Sequence, residues 1–87
     1  MMRLDYTLRA RRELHDLPQQ TSLRIAMKLR WYADQELPLL FAKRLIVPGA
    51  MLFRFRIGHY RAIFRLEGRT LEIILILTVK HRKEAYQ

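Results

Sequence analysis

Cysteine is absent from these 87 residues, which excludes a disulfide framework, a thiolate metal site and a thiol nucleophile. Glycine and proline occur only three times each, and no phosphate-cradling glycine loop, low-complexity segment or linker is present. No long apolar run exists either. The longest, Leu71 to Val79, is interrupted by Glu72 and Thr78 and falls well short of the roughly 20 residues that span a bilayer. The opening MMRLDYTLRARREL lacks the apolar stretch of roughly 7–15 residues that a secretion signal carries, so a cytoplasmic protein is expected. His15-Asp16 and His81-Glu84 lack the further ligands a metal site requires. No serine stands beside a plausible base, and no metal or other cofactor is expected. Acidic residues are the last scarcity: 8 of them face 17 lysines and arginines, for a formal net charge of +9.

What is present is apolar and basic. Half of the residues are apolar (51%), enough for one core, and the length suits a single domain over residues 1–87. So large a positive excess concentrates anionic partners, nucleic acid being the commonest, since phosphate contacts supply most non-specific affinity. Arginine outnumbers lysine by 13 to 4, and its planar fork suits bidentate phosphate contact.

The periodicities give the order of elements. Met2 to Tyr6 alternates as a short strand with Met2, Leu4 and Tyr6 inward. Thr7 caps a helix that runs to about Leu17 and ends at Pro18. After a turn at Gln19-Gln20-Thr21, a second helix is predicted from about Ser22 to Gln35. Its apolar set, from Leu23 and Ile25 through Met27 and Leu29 to Trp31 and Tyr32, is broad enough to meet both a sheet and the first helix. Leu39 to Pro48 reads either as another helical turn or as an irregular connection, and Pro48-Gly49 marks a turn. Met51–Ile57 and Tyr60–Leu66 alternate as strands around the two-residue turn Gly58-His59. Thr70–Val79, nearly all apolar, belongs inside the sheet. The class is therefore α+β: an N-terminal strand and a two-helix hairpin packed on an antiparallel sheet of about four strands. Helices cover one face, and Arg54, Arg56, Arg61 and Arg65 project from the other. Structural alternatives accompany these residues: Arg61 pairing with Glu72 across the sheet, and Trp31 and Tyr32 packing in the core.

Two segments carry a family resemblance. Phe53-Arg54-Phe55-Arg56-Ile57-Gly58-His59-Tyr60-Arg61-Ala62-Ile63-Phe64 and Val79-Lys80-His81-Arg82-Lys83-Glu84-Ala85-Tyr86 resemble the RelE/ParE toxins of type II toxin–antitoxin systems, and more closely the RelE type. There the pattern is basic-x-basic, a short turn, Tyr-Arg-x-x-Tyr/Phe, a hydrophobic strand and a closing His/Lys-Arg-x-x-x-Tyr. The resemblance implies a RelE-like fold and a metal-independent endoribonuclease. Such an enzyme cleaves mRNA at the ribosome by attack of a ribose 2′-hydroxyl, leaving a 2′,3′-cyclic phosphate. It also implies a cognate acidic antitoxin. ParE-type members share the fold but inhibit DNA gyrase without chemistry, and this is the alternative.

The resemblance also assigns roles. Arg61 matches the Tyr-Arg arginine and is expected to hold the scissile phosphate. Arg54 and Arg56 match the basic pair, commonly lysine in the family. Arginine stabilises charge but does not readily yield a proton, so the proton carriers must be sought among His59, His81 and Tyr86. His81, beside Arg82 in the closing motif, is the first candidate for the base, because histidine exchanges protons near neutrality. Tyr86 orients the 2′-hydroxyl or stacks on a base. The expected catalytic set is thus Arg61, His81, Arg82 and Tyr86, with Arg54, Arg56, His59 and Lys80 binding RNA.

Overall fold

The computed structural model describes residues 2–85, so Tyr86 lies outside the described residues. Thr7 does what a cap should. Its hydroxyl accepts the Ala10 amide and donates to the Leu77 carbonyl, tying the start of helix α1 (Leu8–His15) to the sheet. Pro18 ends the turn, and helix α2 begins immediately after it, at Gln19, running to Asp34. This is three residues earlier than the capping pattern suggested. The Pro18 carbonyl already accepts the Ser22 amide, and a proline just ahead of a helix loses no bond by lacking its N–H.

Among the described residues five strands form one sheet in the order β1-β5-β4-β3-β2: β1 (Arg3–Tyr6), β2 (Ala42–Val47), β3 (Ala50–Ile57), β4 (Tyr60–Glu67) and β5 (Ile73–His81). The α+β class stands, with two corrections. The sheet is mixed, because β1 runs parallel to β5. It also has a strand, β2, where a helical turn or irregular link was expected. A 3₁₀ turn at Pro38–Phe41 does precede β2. The strand escaped notice because it is an edge strand with little to bury: Ile46 is 99% exposed, so inward-outward alternation is missing. Its turn into β3 was legible, since Pro48 followed by Gly49 at φ +74° fits the two central positions of a type II turn.

The helix-covered face supplies the core. Phe53, Phe55, Ile57, Ala62, Phe64, Ile74, Ile76 and Val79 meet Ala10, Ile25, Leu29, Tyr32 and Ala33. Rings stack through it, Tyr32 on Phe55 at 4.3 Å and Phe55 on Phe64 at 4.4 Å between centroids. The Tyr32 hydroxyl, its pKa raised by burial, donates to the Arg56 carbonyl at 2.7 Å. The broad stripe of α2 is only partly used. Leu23, Met27 and Trp31 remain exposed on one helical line, although Trp31 lies edge-on to Phe41. No helix among the described residues is long and apolar enough to cross a membrane.

Candidate nucleic-acid interface

Period-two geometry puts alternate side chains of β3 and β4 on the sheet face opposite the core. Register then brings cations together. Arg56 stands across from Arg61, and Arg61 across from Lys80, in one row over three strands. In the next row Lys43 faces Arg54, and Arg54 faces Ile63. Like charges directly opposite one another cost stability, so packing does not account for such a row. Arg65 also belongs to this face and is tied to Glu67 at 3.5 Å.

Arg61 differs from the expectation of a projecting side chain. It is only 5% exposed. Its Nη1 donates to the carbonyls of Gly58 and Tyr60 at 3.1 and 2.9 Å, holding the guanidinium against its own hairpin. The turn that presents those carbonyls needs Gly58 at its first central position, where φ is +58°. Nη1 has thereby used both of its protons. The Nε–H of Arg61 is buried and has no hydrogen-bond partner among the described residues, an expensive state for a charged donor. Pairing with Glu72 is not observed. That carboxylate binds the hydroxyl and amide of Thr70 within its own loop.

Lys80 is on the row because of a β-bulge. Ile63 pairs with Thr78, but Phe64 pairs with Ile76, leaving Leu77 as an extra residue in β5. One extra residue reverses the parity of every position beyond it. Unbroken alternation from Ile74 and Ile76 would have turned Lys80 toward the core and His81 toward the arginines. With the bulge, Lys80 takes the place beside Arg61, and His81 pairs with Tyr60 on the helix-covered side. The Thr7 hydroxyl bound to the Leu77 carbonyl fastens the bulge at 2.8 Å.

His81 is therefore not brought onto the arginine face. Its ring lies 5.4 Å from Tyr60, edge-on, and 6.0 Å from His59, stacked, at the end of the sheet. Its Nδ1 accepts the Lys83 amide at 3.3 Å. His59 is exposed in the hairpin turn, and its carbonyl accepts the Arg82 amide at 2.7 Å. That bond docks the terminal turn, helix α3 (Arg82–Ala85), on the hairpin, with the Arg82 side chain exposed.

Sequence reasoning missed Glu13. Its carboxylate reaches the edge of β5 beyond the end of β1, accepting from the Thr78 hydroxyl at 2.7 Å and the Val79 amide at 3.0 Å. Lys80 Nζ lies 3.2 Å away from it. Burial pushes the Glu13 carboxyl up, but the bonds from Thr78, Val79 and Lys80 together outweigh burial and hold it below its ordinary value of 4.5. A single carboxylate on a surface helix gives no periodic signal, so only the topology could disclose this role.

Known structures share this architecture. The model superposes on the RelBE2 toxin–antitoxin complex of Mycobacterium tuberculosis with a TM-score of 0.75 and 30% identity, covering 93% of this chain and 98% of that one. The archaeal RelE–RelB complex of Pyrococcus horikoshii gives 0.70 and 25%, over 93% and 94% of the two chains. The isolated RelE toxin of E. coli gives 0.66 over 99% and 96%, but at 16% identity shows the fold alone. No protein-family sequence model matches the chain, and no curated protein matches it in sequence. On fold, on near-complete coverage and on identity to the mycobacterial protein, the chain belongs to the RelE-type toxins of the RelE/ParE superfamily.

Proposed function

We propose that this toxin is a metal-independent endoribonuclease that cleaves mRNA at the ribosome and is silenced by an acidic antitoxin. The observation that carries the reading is Arg61, immobilised by two carbonyls, with a buried Nε–H awaiting an acceptor in a row of cations. A phosphate oxygen supplies that acceptor. Fixed donors aimed at developing charge cost no reorganisation during reaction, and such preorganisation is commonly the largest catalytic contribution. The exposed Arg56 side chain, across from Arg61, shares the phosphate charge with Arg61 and Arg54.

The reaction is an in-line transfer. The ribose 2′-oxygen attacks the adjacent phosphorus, the 5′-oxygen leaves, and a 2′,3′-cyclic phosphate and a 5′-hydroxyl result. The arginines carry phosphate charge rather than protons. We assign proton transfer to the imidazoles of His59 and His81, which stack at the end of the sheet beside the Gly58-His59 turn rather than on the arginine face. Arg82 stands at the terminal edge of the site, the family resemblance gives Tyr86 its part in the chemistry, and Lys80 is paired across from Arg61. Antitoxin binding is supported by the RelB-bound state of the mycobacterial and archaeal relatives, and cytoplasmic residence follows from such targets.

The test is to add purified protein to translating ribosomes and map message ends. New 3′ ends inside codons, bearing cyclic phosphate, are the expected result. Intact message together with blocked DNA supercoiling would instead assign the chain to gyrase inhibition.

A further inference from the structure

A hollow of about 390 Å³ lies outside the arginine face, between α2 and the β3–β4 turn. Four basic side chains line it: Arg24 and Lys28 from α2, Arg56 from the end of β3, and His59 from the turn. Among the described residues no carboxylate lies within 4.0 Å of any of these four, whereas Asp5, Glu13, Asp34 and Glu67 each pair with a lysine or arginine elsewhere. Lys28 is held in place, its Nζ 4.1 Å from the Trp31 ring centroid and 5.1 Å from that of Tyr32. Arg56 belongs both to this hollow and to the cationic row. It can do so because β2 pairs with β3 only up to Phe55, leaving the sheet edge open at Arg56.

We infer that this hollow is a second phosphate subsite, which takes a backbone phosphodiester of single-stranded RNA flanking the one held at Arg61. The inference rests on the ribonuclease reading and extends it by giving the RNA a path. The strand crosses the arginine face, passes Arg56 and turns around the hairpin onto α2. A continuous cationic groove is how proteins follow a single strand regardless of sequence. Arg24 and Lys28 lie in neither segment that carries the family resemblance, so the subsite belongs to the surface of α2.

Fluorescence anisotropy with RNA oligonucleotides of two and eight nucleotides, over a range of salt, tests this directly. Arg24 is exposed on a helix, so Arg24→Ala keeps the fold, and Arg11→Ala on exposed α1 removes the same charge elsewhere. Loss of one charge-assisted phosphate contact weakens eight-nucleotide binding about tenfold and flattens the log–log salt slope by about 0.7. Dinucleotide binding stays unchanged, Arg11→Ala behaves as wild type, and Arg24→Lys recovers part of the loss. If Arg24→Ala and Arg11→Ala are indistinguishable on the longer RNA, the subsite is refuted while the ribonuclease reading stands. If Arg24→Ala leaves RNA affinity intact but weakens binding of a poly-glutamate peptide, the hollow serves an acidic protein and the RNA assignment is wrong. If the wild-type protein binds neither RNA, the subsite is refuted, and the ribonuclease reading is decided separately by message cleavage on translating ribosomes.

Discussion

At the β1–α1 side of the sheet Arg3 is bound to Asp5, and Arg9 and Lys80 both approach Glu13. At the hairpin side Arg24, Lys28, Arg56 and His59 gather with no carboxylate of the described residues within 4.0 Å, and Arg61 is bound to the carbonyls of Gly58 and Tyr60. The first region uses charge to close an edge: Glu13 occupies the Val79 amide of β5, which β1 is too short to reach, and an unsatisfied edge invites wrong pairing. The second region accumulates charge that no carboxylate among the described residues pairs with. Folding alone would not retain like charges at adjacent positions. The contrast separates cations paired within the fold from those that the proposed function assigns to RNA.

Substitutions can break that contrast. The largest effect is expected for Arg61→Ala: message cleavage falls by about 10²–10³-fold, as when a transition-state donor is removed. Because the Gly58 and Tyr60 carbonyls also lose their donor, stability falls by about 1–3 kcal/mol, visible as a lower urea midpoint. His81→Gln is next. As a proton carrier it is worth about 10²-fold in single-turnover cleavage with RNA affinity unchanged, and a change below threefold would remove it from the chemistry.

Glu13→Ala tests the paired side. Leaving the Val79 amide and Thr78 hydroxyl unpartnered costs about 1–3 kcal/mol in denaturant unfolding at pH 7, and it also frees Lys80 of the row from its carboxylate, while Arg56 and Arg61 keep their surroundings. The pH dependence has a definite sign. Glu13 is held below 4.5 in the folded protein, so the unfolded chain binds more protons between the two values. Its stabilisation is complete above about 4.5 and is lost as pH falls through the lower, folded value. Glu13→Gln abolishes that part of the acid sensitivity. Arg56→Ala is the mildest change. RNA binding weakens severalfold, while stability moves by less than about 0.5 kcal/mol, since the side chain is exposed.

Much of this was legible in the chain. Met51–Ile57 and Tyr60–Leu66 alternate strictly, and Gly58-His59 is the two-residue turn between them, so Arg54, Arg56 and Arg61 fall on a common face. Nearly continuous apolar character placed β5 inside the sheet, between β1 and β4. What alternation hid was the bulge at Leu77, which exchanges Lys80 for His81 beside the arginines. No local residue announces it, because the hydroxyl that fastens it comes from Thr7, 70 positions away. Nor does sequence distinguish a projecting arginine from one folded onto its own turn. Burial of Arg61 depends on carbonyl directions set by the hairpin.

Under the proposed function Arg61 acts through a guanidinium fixed in place, not through charge alone. Single-turnover message cleavage on translating ribosomes by Arg61→Lys, compared with wild type at equal folded fraction, tests it most directly. Lysine keeps the charge but lacks the fork that can bind hairpin carbonyls and phosphate together, so message should stay intact. Cleavage by Arg61→Lys at the wild-type rate and at the same positions would contradict the account.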